Sequence, residues 1–183
     1  MLRFDRFRSK NSTLVRLSIT VLVILVIAGI WFFKNQKRTE DQAESLQDPI
    51  FALHVRDTLD IDKLRSHGLP LIIDFGADSC LPCKEMAPVL KELNESLQGK
   101  AIIKFVDVWK YQDLAEGFPL RVIPTQFFFD KDGKPFLPSD PENMQMTIYK
   151  TKDNDTHVFT VHEGGMTKSQ LLAVLEELGV LYD

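Results

Sequence analysis

Residues 71–84 have the sequence LIIDFGADSCLPCK, which combines a buried-strand pattern with a pair of cysteines at the start of a helical pattern. Leu71 to Phe75 form a continuous apolar run interrupted by one acid, Asp74, which is typical of a strand buried on both faces. Cys80 and Cys83 follow in a C-x-x-C motif, and apolar residues then recur at helical spacing over residues 84–98. The sequence therefore predicts a buried strand, a short loop and a helix that begins at the two cysteines.

The C-x-x-C motif places two thiols at a helix start. Unpaired backbone N–H groups and the helix dipole favour negative charge there, so they stabilise the thiolate of the first cysteine. Pro82 is tolerated in the first turn because the N–H that it lacks would have no helical partner. We therefore expect Cys80 to attack a disulfide of another protein and Cys83 to resolve the resulting mixed disulfide.

Other uses of this motif find less support in the sequence. A zinc site needs two more ligands, but there is no second C-x-x-C and the four histidines are scattered. Haem attachment requires a histidine after the second cysteine, where Lys84 stands. A permanent structural disulfide in an extracytoplasmic domain is the remaining alternative. We expect no metal, and dithiol exchange needs no bound cofactor.

The rest of residues 50–183 alternates between strand and helix patterns. Apolar, β-rich runs occur at residues 101–108, 125–130, 147–149 and 157–161, and helical patterns at residues 61–67, 113–118 and 167–178. Such alternation predicts an α/β domain with a partly parallel sheet that is covered on both faces.

The N-terminal part of the chain has the character of a membrane anchor. Residues 17–33 carry no charge, and about 20 apolar residues cross a bilayer as a helix. A cleaved signal peptide would have a shorter apolar stretch and a small-residue cleavage site, and a buried core helix would have a polar face. We predict a basic cytoplasmic N-terminus (1–13), a transmembrane anchor (14–33), a polar linker (34–49) and a folded domain (50–183).

Charge is divided unevenly along the 183 residues. Residues 1–38 carry eight Lys/Arg and one acid, a net charge of +7, whereas residues 39–183 carry fourteen Lys/Arg and twenty-five acids, a net charge of −11. An acidic domain argues against nucleic-acid binding, which requires a basic face. The excess of positive charge before the anchor predicts that the N-terminus is cytoplasmic and the folded domain extracytoplasmic.

Three segments carry a resemblance to a known family. IIDFGADSCLPCKEMAPVLKELNE (72–95) resembles the active-site strand and helix of thioredoxins, RVIPTQFFFD (121–130) their cis-proline segment, and EGGMTKSQLLAVLEEL (163–178) their last strand, glycine turn and last helix. With the anchor, the chain is similar to the membrane-tethered thioredoxins of bacteria. The resemblance implies a thioredoxin fold, a central mixed sheet flanked by helices, with a transmembrane helix before it and a small insertion before the last hairpin.

The resemblance also implies roles for individual residues. Cys80 is the attacking thiol and Cys83 the resolving thiol, and the Ile123–Pro124 peptide bond is cis. The residues implied to contact the extended chain of a partner are Ile123, Pro124, Leu81 and Pro82.

Asp74 matches the buried acid that lies behind the second cysteine in the family. A carboxylate without a partner in an apolar strand has a raised pKa, which suits proton exchange with Cys83. A solvated or hydrogen-bonded structural aspartate is the alternative.

Several positions depart from the family pattern. Ser79 and Gly76 stand where tryptophans are common, and Phe105 stands where many relatives place a lysine near the buried acid. Strand alternation directs the adjacent Lys104 to the opposite face. Residues 135–156 include an insertion for which contact with a partner and decoration of a sheet edge are equally compatible with the sequence.

The function implied is that of a membrane-tethered thiol–disulfide oxidoreductase. We expect a monomer that reduces disulfides of exported proteins, in cytochrome c maturation among other pathways, with electrons from a transmembrane electron-conducting partner. The alternatives are a disulfide oxidant or isomerase that uses the same residues, and a non-catalytic tethered binding module.

Overall fold

The structure is a computed structural model that describes residues 9–45 and 48–182. For the first helix, side chains are described at residues 16–32, 34 and 35. Most of the basic N-terminus predicted at residues 1–13 therefore lies outside the described residues.

The elements follow the predicted alternation of strands and helices. In chain order they are α1 (Ser9–Ser45), β1 (His54–Val55), α2 (Ile61–Arg65), β2 (Leu71–Gly76), α3 (Leu81–Ser96), β3 (Ile102–Asp107), a 3-10 helix (Gln112–Ala115), β4 (Thr125–Phe129), β5 (Met146–Lys150), β6 (His157–Glu163) and α4 (Lys168–Glu177).

The strands form one mixed sheet in the order β1-β3-β2-β4-β6-β5. β3 runs parallel to both β1 and β2, whereas β4, β6 and β5 are added in antiparallel pairs. The helix α3 makes the crossover between the parallel strands β2 and β3, as such connections require. The predicted mixed, partly parallel sheet is confirmed.

Each face of the sheet has its own hydrophobic core, and strand alternation sorts the side chains between them. On one face, α3 and α4 pack on the sheet through Met86, Leu90, Leu93, Leu171, Val174 and Leu175. On the other face, α2 and the segment that precedes β4 pack on the sheet through Leu64, Ile61, Leu114, Phe118 and Leu120. Every residue of β2, β3 and β4 is buried, which agrees with the continuous apolar runs in the sequence.

The insertion predicted between residues 135 and 156 is built into the domain. It contributes β5, the edge strand that pairs with β6, and its residues Phe136 and Met146 lie in the core. Ser139 donates hydrogen bonds from its backbone N–H and hydroxyl to the Glu177 carboxylate of α4, at 2.8 and 2.6 Å. This segment therefore extends the sheet and closes against the last helix.

The chain divides into two compact units, Met1–Leu46 and Gln47–Asp183. α1 continues to Ser45, so residues predicted as a polar linker are helical as far as that residue. Over the described residues, no helix is both long enough and apolar enough to cross a membrane. The transmembrane anchor predicted at residues 14–33 is therefore not confirmed.

Candidate active site

The two cysteines lie at the start of α3 and are joined by a disulfide, with their Cα atoms 5.3 Å apart. Cys80 is the N-cap residue, and its Sγ accepts a hydrogen bond from the backbone N–H of Cys83 at 3.4 Å. Pro82 lies in the first turn, where its missing N–H costs nothing. The predicted helix start at the motif is confirmed, and it places Cys80 Sγ where the helix dipole favours a thiolate.

The Ile123–Pro124 segment lies beside the disulfide, and its peptide bond is cis. The carbonyl oxygen of Ile123 is 3.9 Å from Cys80 Sγ, and Ile123 packs against the small cluster formed by Ala77, Cys80 and Cys83. The backbone N–H of Gly164 donates to the Pro124 carbonyl at 2.9 Å. The structure thus brings together three segments that the sequence separates by forty residues each.

The cysteines themselves are largely covered by their neighbours. Cys80 is 8% exposed and Cys83 is 3% exposed, whereas Leu81, between them, is 68% exposed. Val122, next to the cis peptide, is also exposed. An apolar rim of Leu81 and Val122 therefore flanks the disulfide, at the place where a partner chain is expected.

Asp74 lies inside the sheet on the face that α3 covers, and it is 1% exposed. Gln126 donates a hydrogen bond from Nε2 to Asp74 Oδ1 at 2.7 Å, while Oδ2 has no hydrogen-bond partner among the described residues. Burial raises the pKa of Asp74 from its ordinary value of 3.8 to about 7, and the Gln126 hydrogen bond opposes part of that rise. The carboxyl group can therefore take up or release a proton near neutral pH.

The position across from Asp74 on β3 is occupied by Phe105, as the sheet register shows. Lys104 points to the opposite face, where its Nζ donates to the carbonyl oxygens of Pro49 and Ala52 at 2.9 and 2.6 Å. The sequence-based expectation that Lys104 cannot approach Asp74 is confirmed. No lysine therefore pairs with this acid in the described part of the chain.

Gly76 explains how the site accommodates the phenylalanine. A Cβ atom at Gly76 would lie 2.8 Å from Phe105 Cε2 and 3.2 Å from Cys83 Sγ. The phenylalanine ring thus occupies space that a side chain at residue 76 would need. The two departures from the family pattern, Gly76 and Phe105, therefore depend on each other, because the phenylalanine ring fits only where residue 76 has no side chain.

Three buried polar residues of this region were not predicted as site residues. Gln126 and His162 extend the hydrogen bonding of Asp74 across the sheet, with His162 Nδ1 3.0 Å from Gln126 Oε1. Asp107 Oδ2 accepts from the backbone N–H of Asp78 at 3.1 Å and so holds the loop before Cys80. A lone glutamine within the apolar run TQFFFD was the available signal for Gln126. His162 required the strand register, which the sequence does not give.

Metal ligands do not cluster in the described residues: no group of three or more His, Cys, Asp or Glu side chains could hold an ion there.

Comparison with known proteins identifies the family. The thioredoxin family model matches residues 61–154, which is more than half of the chain. Thioredoxin C-2 of Corynebacterium nephridii is 45% identical over 65 residues, which cover 36% of this chain and 59% of that protein. Thioredoxin 1 of Chlorobaculum tepidum is 42% identical over 72 residues, covering 39% and 70%. Chloroplastic thioredoxin Y2 of Arabidopsis thaliana is 37% identical over 73 residues, covering 40% and 43%.

The chain spans about half the length of several of the relatives that it matches. The matched residues 61–154 include the cysteines, Asp74 and the cis-proline segment. On this family match, the chain belongs to the thioredoxin family.

Proposed function

We propose that this protein is a thiol–disulfide oxidoreductase that works through Cys80 and Cys83. The observation that carries the proposal is the position of Cys80 Sγ, which caps α3 and lies 3.9 Å from the carbonyl oxygen of Ile123. The helix start favours the Cys80 thiolate, and the cis segment offers backbone groups to an extended partner chain.

In the reductive direction, two electrons pass from the Cys80–Cys83 dithiol to a client disulfide. The Cys80 thiolate attacks one sulfur of a client disulfide, a mixed disulfide forms, and the expelled client thiolate takes up a proton. The Cys83 thiol then gives its proton to Asp74, and the resulting thiolate attacks Cys80 Sγ. The second client thiolate leaves, the Cys80–Cys83 disulfide forms, and two electrons have passed to the client. An external dithiol reductant must then reduce the pair again.

Single-cysteine variants test the chemistry. Insulin precipitation with dithiothreitol as the reductant measures disulfide reduction. Cys80→Ser should lose all acceleration of this precipitation over the rate with dithiothreitol alone. Cys83→Ser should instead accumulate a mixed disulfide with the client, visible by mass spectrometry, because the resolving thiol is absent. A Cys80→Ser/Cys83→Ser variant tests the alternative of a non-catalytic module. If this variant still complemented loss of the protein in cells, the disulfide would be structural and the protein a binding module.

The direction we propose is reduction, in line with the similarity to proteins named thioredoxins. The test is the reduction potential of the Cys80–Cys83 pair in the full chain, from equilibration with glutathione or dithiothreitol. A value near or below about −250 mV supports a reductant. A value of about −120 to −180 mV would assign the pair to a disulfide oxidant or isomerase.

We also propose that the domain is tethered to a bacterial inner membrane and faces the extracytoplasmic side, although no described helix qualifies as a span. Support comes from large apolar side chains of α1 that are exposed to solvent: Leu17, Ile19, Val21, Leu22, Val23, Ile24, Leu25, Val26, Ile27, Ile30, Trp31 and Phe32. A contiguous apolar surface of this kind is typical of a membrane or partner contact. Its clients would then be disulfides of exported proteins, with cytochrome c maturation as one setting, and its electrons would come from a transmembrane electron-conducting partner.

Membrane fractionation tests the tether. The full chain, expressed in bacterial cells, should stay in the pellet after alkaline carbonate extraction, and protease added to spheroplasts should digest the folded domain. A Val23→Lys/Ile27→Lys variant should move to the supernatant, because charges at the centre of a span are costly. Recovery of the unaltered chain in the supernatant would overturn the tether and leave the dithiol chemistry intact.

A further inference from the structure

A buried hydrogen-bonded row crosses three strands beside the active-site helix. The sheet register places Asp74 of β2 across from Gln126 of β4, and Gln126 across from His162 of β6. Gln126 Nε2 lies 2.7 Å from Asp74 Oδ1, and Gln126 Oε1 lies 3.0 Å from His162 Nδ1. All three residues are at most 3% exposed.

Hydrogen-bond chemistry fixes the roles along this row. A glutamine amide donates only through nitrogen and accepts only through oxygen. Because its nitrogen faces Asp74, its oxygen faces His162 and accepts, which assigns the ring proton to His162 Nδ1; the Gly164 backbone is the second hydrogen-bond partner of this ring and competes for that proton. A donor at residue 162 therefore holds the amide in the one orientation that supports a negative charge on Asp74.

Packing around the row is apolar on the side of α3 and α4. Met86, one turn after Cys83 on α3, places its Sδ 3.6 Å from Gln126 Nε2 and accepts from the Met166 backbone N–H at 3.3 Å. α4 contributes the apolar side chains Leu171, Val174 and Leu175 to this face. Gln126 is therefore the polar partner on which the Asp74 carboxylate depends.

Titratable groups near the row are few among the described residues. On the side of β3, Phe105 separates Asp74 from His54 of β1, with the Phe105 and His54 rings 5.5 Å apart. From α3, Cys83 lies over the same face of β2, with its Sγ 3.2 Å from a Cβ placed at Gly76, two residues after Asp74, and it becomes titratable once the disulfide is reduced. Glu163 alternates to the other face, where it forms a bidentate ion pair with Arg121 at 2.8 and 2.7 Å. Burial lowers the pKa of His162, and the hydrogen bond to the Gly164 backbone and the charge of Glu163 oppose part of that fall, so the ring is neutral near pH 7.

We propose that Gln126 and His162 are positioning residues for the resolving step: His162 orients the Gln126 amide, and that amide keeps Asp74 able to accept the Cys83 proton. The inference rests on the proposed dithiol function. In the step concerned, the S–H bond of Cys83 breaks, an O–H bond forms on Asp74, and no electrons change hands. Without the donor at residue 162, the amide can turn its oxygen towards Asp74, which favours the protonated acid. The hydrogen bond from Gln126 thus stabilises the ionised form of Asp74, as the positive charge of a nearby lysine would.

The direct test follows the protonation of Asp74 by infrared spectroscopy of the oxidised full chain. The carboxylic-acid C=O band that disappears in Asp74→Asn is titrated against pH in Gln126→Leu and His162→Phe. Each variant should move the midpoint upward by about one pH unit, which lowers the ionised fraction about tenfold on the acid side. Phe128→Leu, equally buried on the same face of β4, should leave the midpoint unchanged, and His162→Gln, which keeps an N–H donor, should retain most of the unaltered behaviour.

Kinetics separate this inference from the proposed function. In Gln126→Leu and His162→Phe, the rate of disulfide reduction should fall about fivefold at pH 7 and about tenfold at pH 6, and it should recover at higher pH, where Asp74 is ionised in every variant. A midpoint that does not move, or a rate loss of the same size at every pH, overturns the positioning role. Absence of disulfide reduction in the unaltered chain would instead overturn the proposed function. The infrared titration does not depend on turnover, so it would still report whether Gln126 and His162 set the protonation of Asp74.

A measurement on the unaltered chain covers the case in which both variants fail to fold. Nitrogen NMR of the imidazole should show His162 with its proton on Nδ1 while Asp74 is ionised. A tautomer with the proton on Nε2 at that pH would overturn the inference, because the Gln126 oxygen would then have no donor.

Discussion

Two opposing effects set the pKa of Asp74: loss of hydration raises it, and one hydrogen bond from Gln126 lowers it. Loss of hydration is the larger, so the pKa of Asp74 rises to about 7. The unfolded chain ionises this group near 3.8, so between about pH 4 and 7 the folded state binds more protons than the unfolded state. The stability contribution of Asp74 is therefore complete below about pH 4 and is lost as the pH rises through 7.

The direction of this pH dependence predicts how Asp74→Asn changes the free energy of unfolding. At pH 8 the oxidised variant should be more stable than the unaltered protein by about 2 to 4 kcal/mol, because folding no longer buries a carboxylate. The gain should shrink towards zero by about pH 4. Urea unfolding at pH 4, 6 and 8 measures it, with the exposed Asp132→Asn as control; a gain that is the same at every pH would contradict the assignment.

Gly76 gives a second prediction at the scale of one residue. Gly76→Ala should destabilise the protein by about 1 to 3 kcal/mol, because its Cβ would lie 2.8 Å from the Phe105 ring. Thermal unfolding checks this against Gly165→Ala, whose Cβ would meet its nearest neighbour, the Pro82 carbonyl oxygen, at 3.9 Å. In a Phe105→Leu background the cost of Gly76→Ala should fall by at least half; an unchanged cost would show that Phe105 is not the obstacle.

At the scale of elements, the C-terminal ends of β2 and β3 are tied together next to the active site. The backbone N–H of Val108 donates to the Gly76 carbonyl at 2.9 Å. Asp107 Oδ1 accepts from the backbone N–H groups of Trp109 and Lys110 at 3.0 and 3.2 Å, and its Oδ2 accepts from that of Asp78. One carboxylate thus holds both the turn after β3 and the loop that leads into Cys80.

Asp107→Ala should therefore cost about 3 kcal/mol of stability, since hydrogen bonds to a charged, buried acceptor are strong and their donors would lose their partner. It should also lower the rate of disulfide reduction, because the loop before Cys80 loses its anchor. Urea unfolding and insulin reduction measure the two effects, with the exposed Asp132→Ala as control. Full activity in a destabilised Asp107→Ala variant would show that the loop holds its shape without this residue.

How far the sequence predicts these elements depends on how local their causes are. β2 and α3 follow from an apolar run and from helical spacing after a cysteine N-cap, and both lie within a few residues of the predicted bounds. β1 has two residues and is a strand only because it pairs with β3. A local sequence pattern therefore cannot predict it. The Gln126–His162 contact likewise depends on the register of β4 and β6, which is set by tertiary packing.

At the scale of the whole molecule, the two units differ in charge and in surface character. Residues 1–46 carry eight Lys/Arg and four acids, a net charge of +4, whereas residues 47–183 carry fourteen Lys/Arg and twenty-two acids, a net charge of −8. Unit Gln47–Asp183 contains both hydrophobic cores and the entire candidate site. The features needed for folding and for dithiol chemistry are therefore contained in that unit.

A chain shortened to residues 47–183 should differ from the full chain in its association and not in its chemistry. The shortened chain should be monomeric and should keep the same unfolding midpoint and insulin-reduction rate, because its cores and cysteines are complete. The full chain should self-associate in detergent-free buffer, since α1 exposes twelve large apolar side chains between Leu17 and Phe32. Light scattering after size-exclusion chromatography distinguishes the two, and added detergent micelles should disperse the full chain. A monomeric full chain without detergent would mean that this apolar surface is covered by the protein itself, and it would count against the proposed tether.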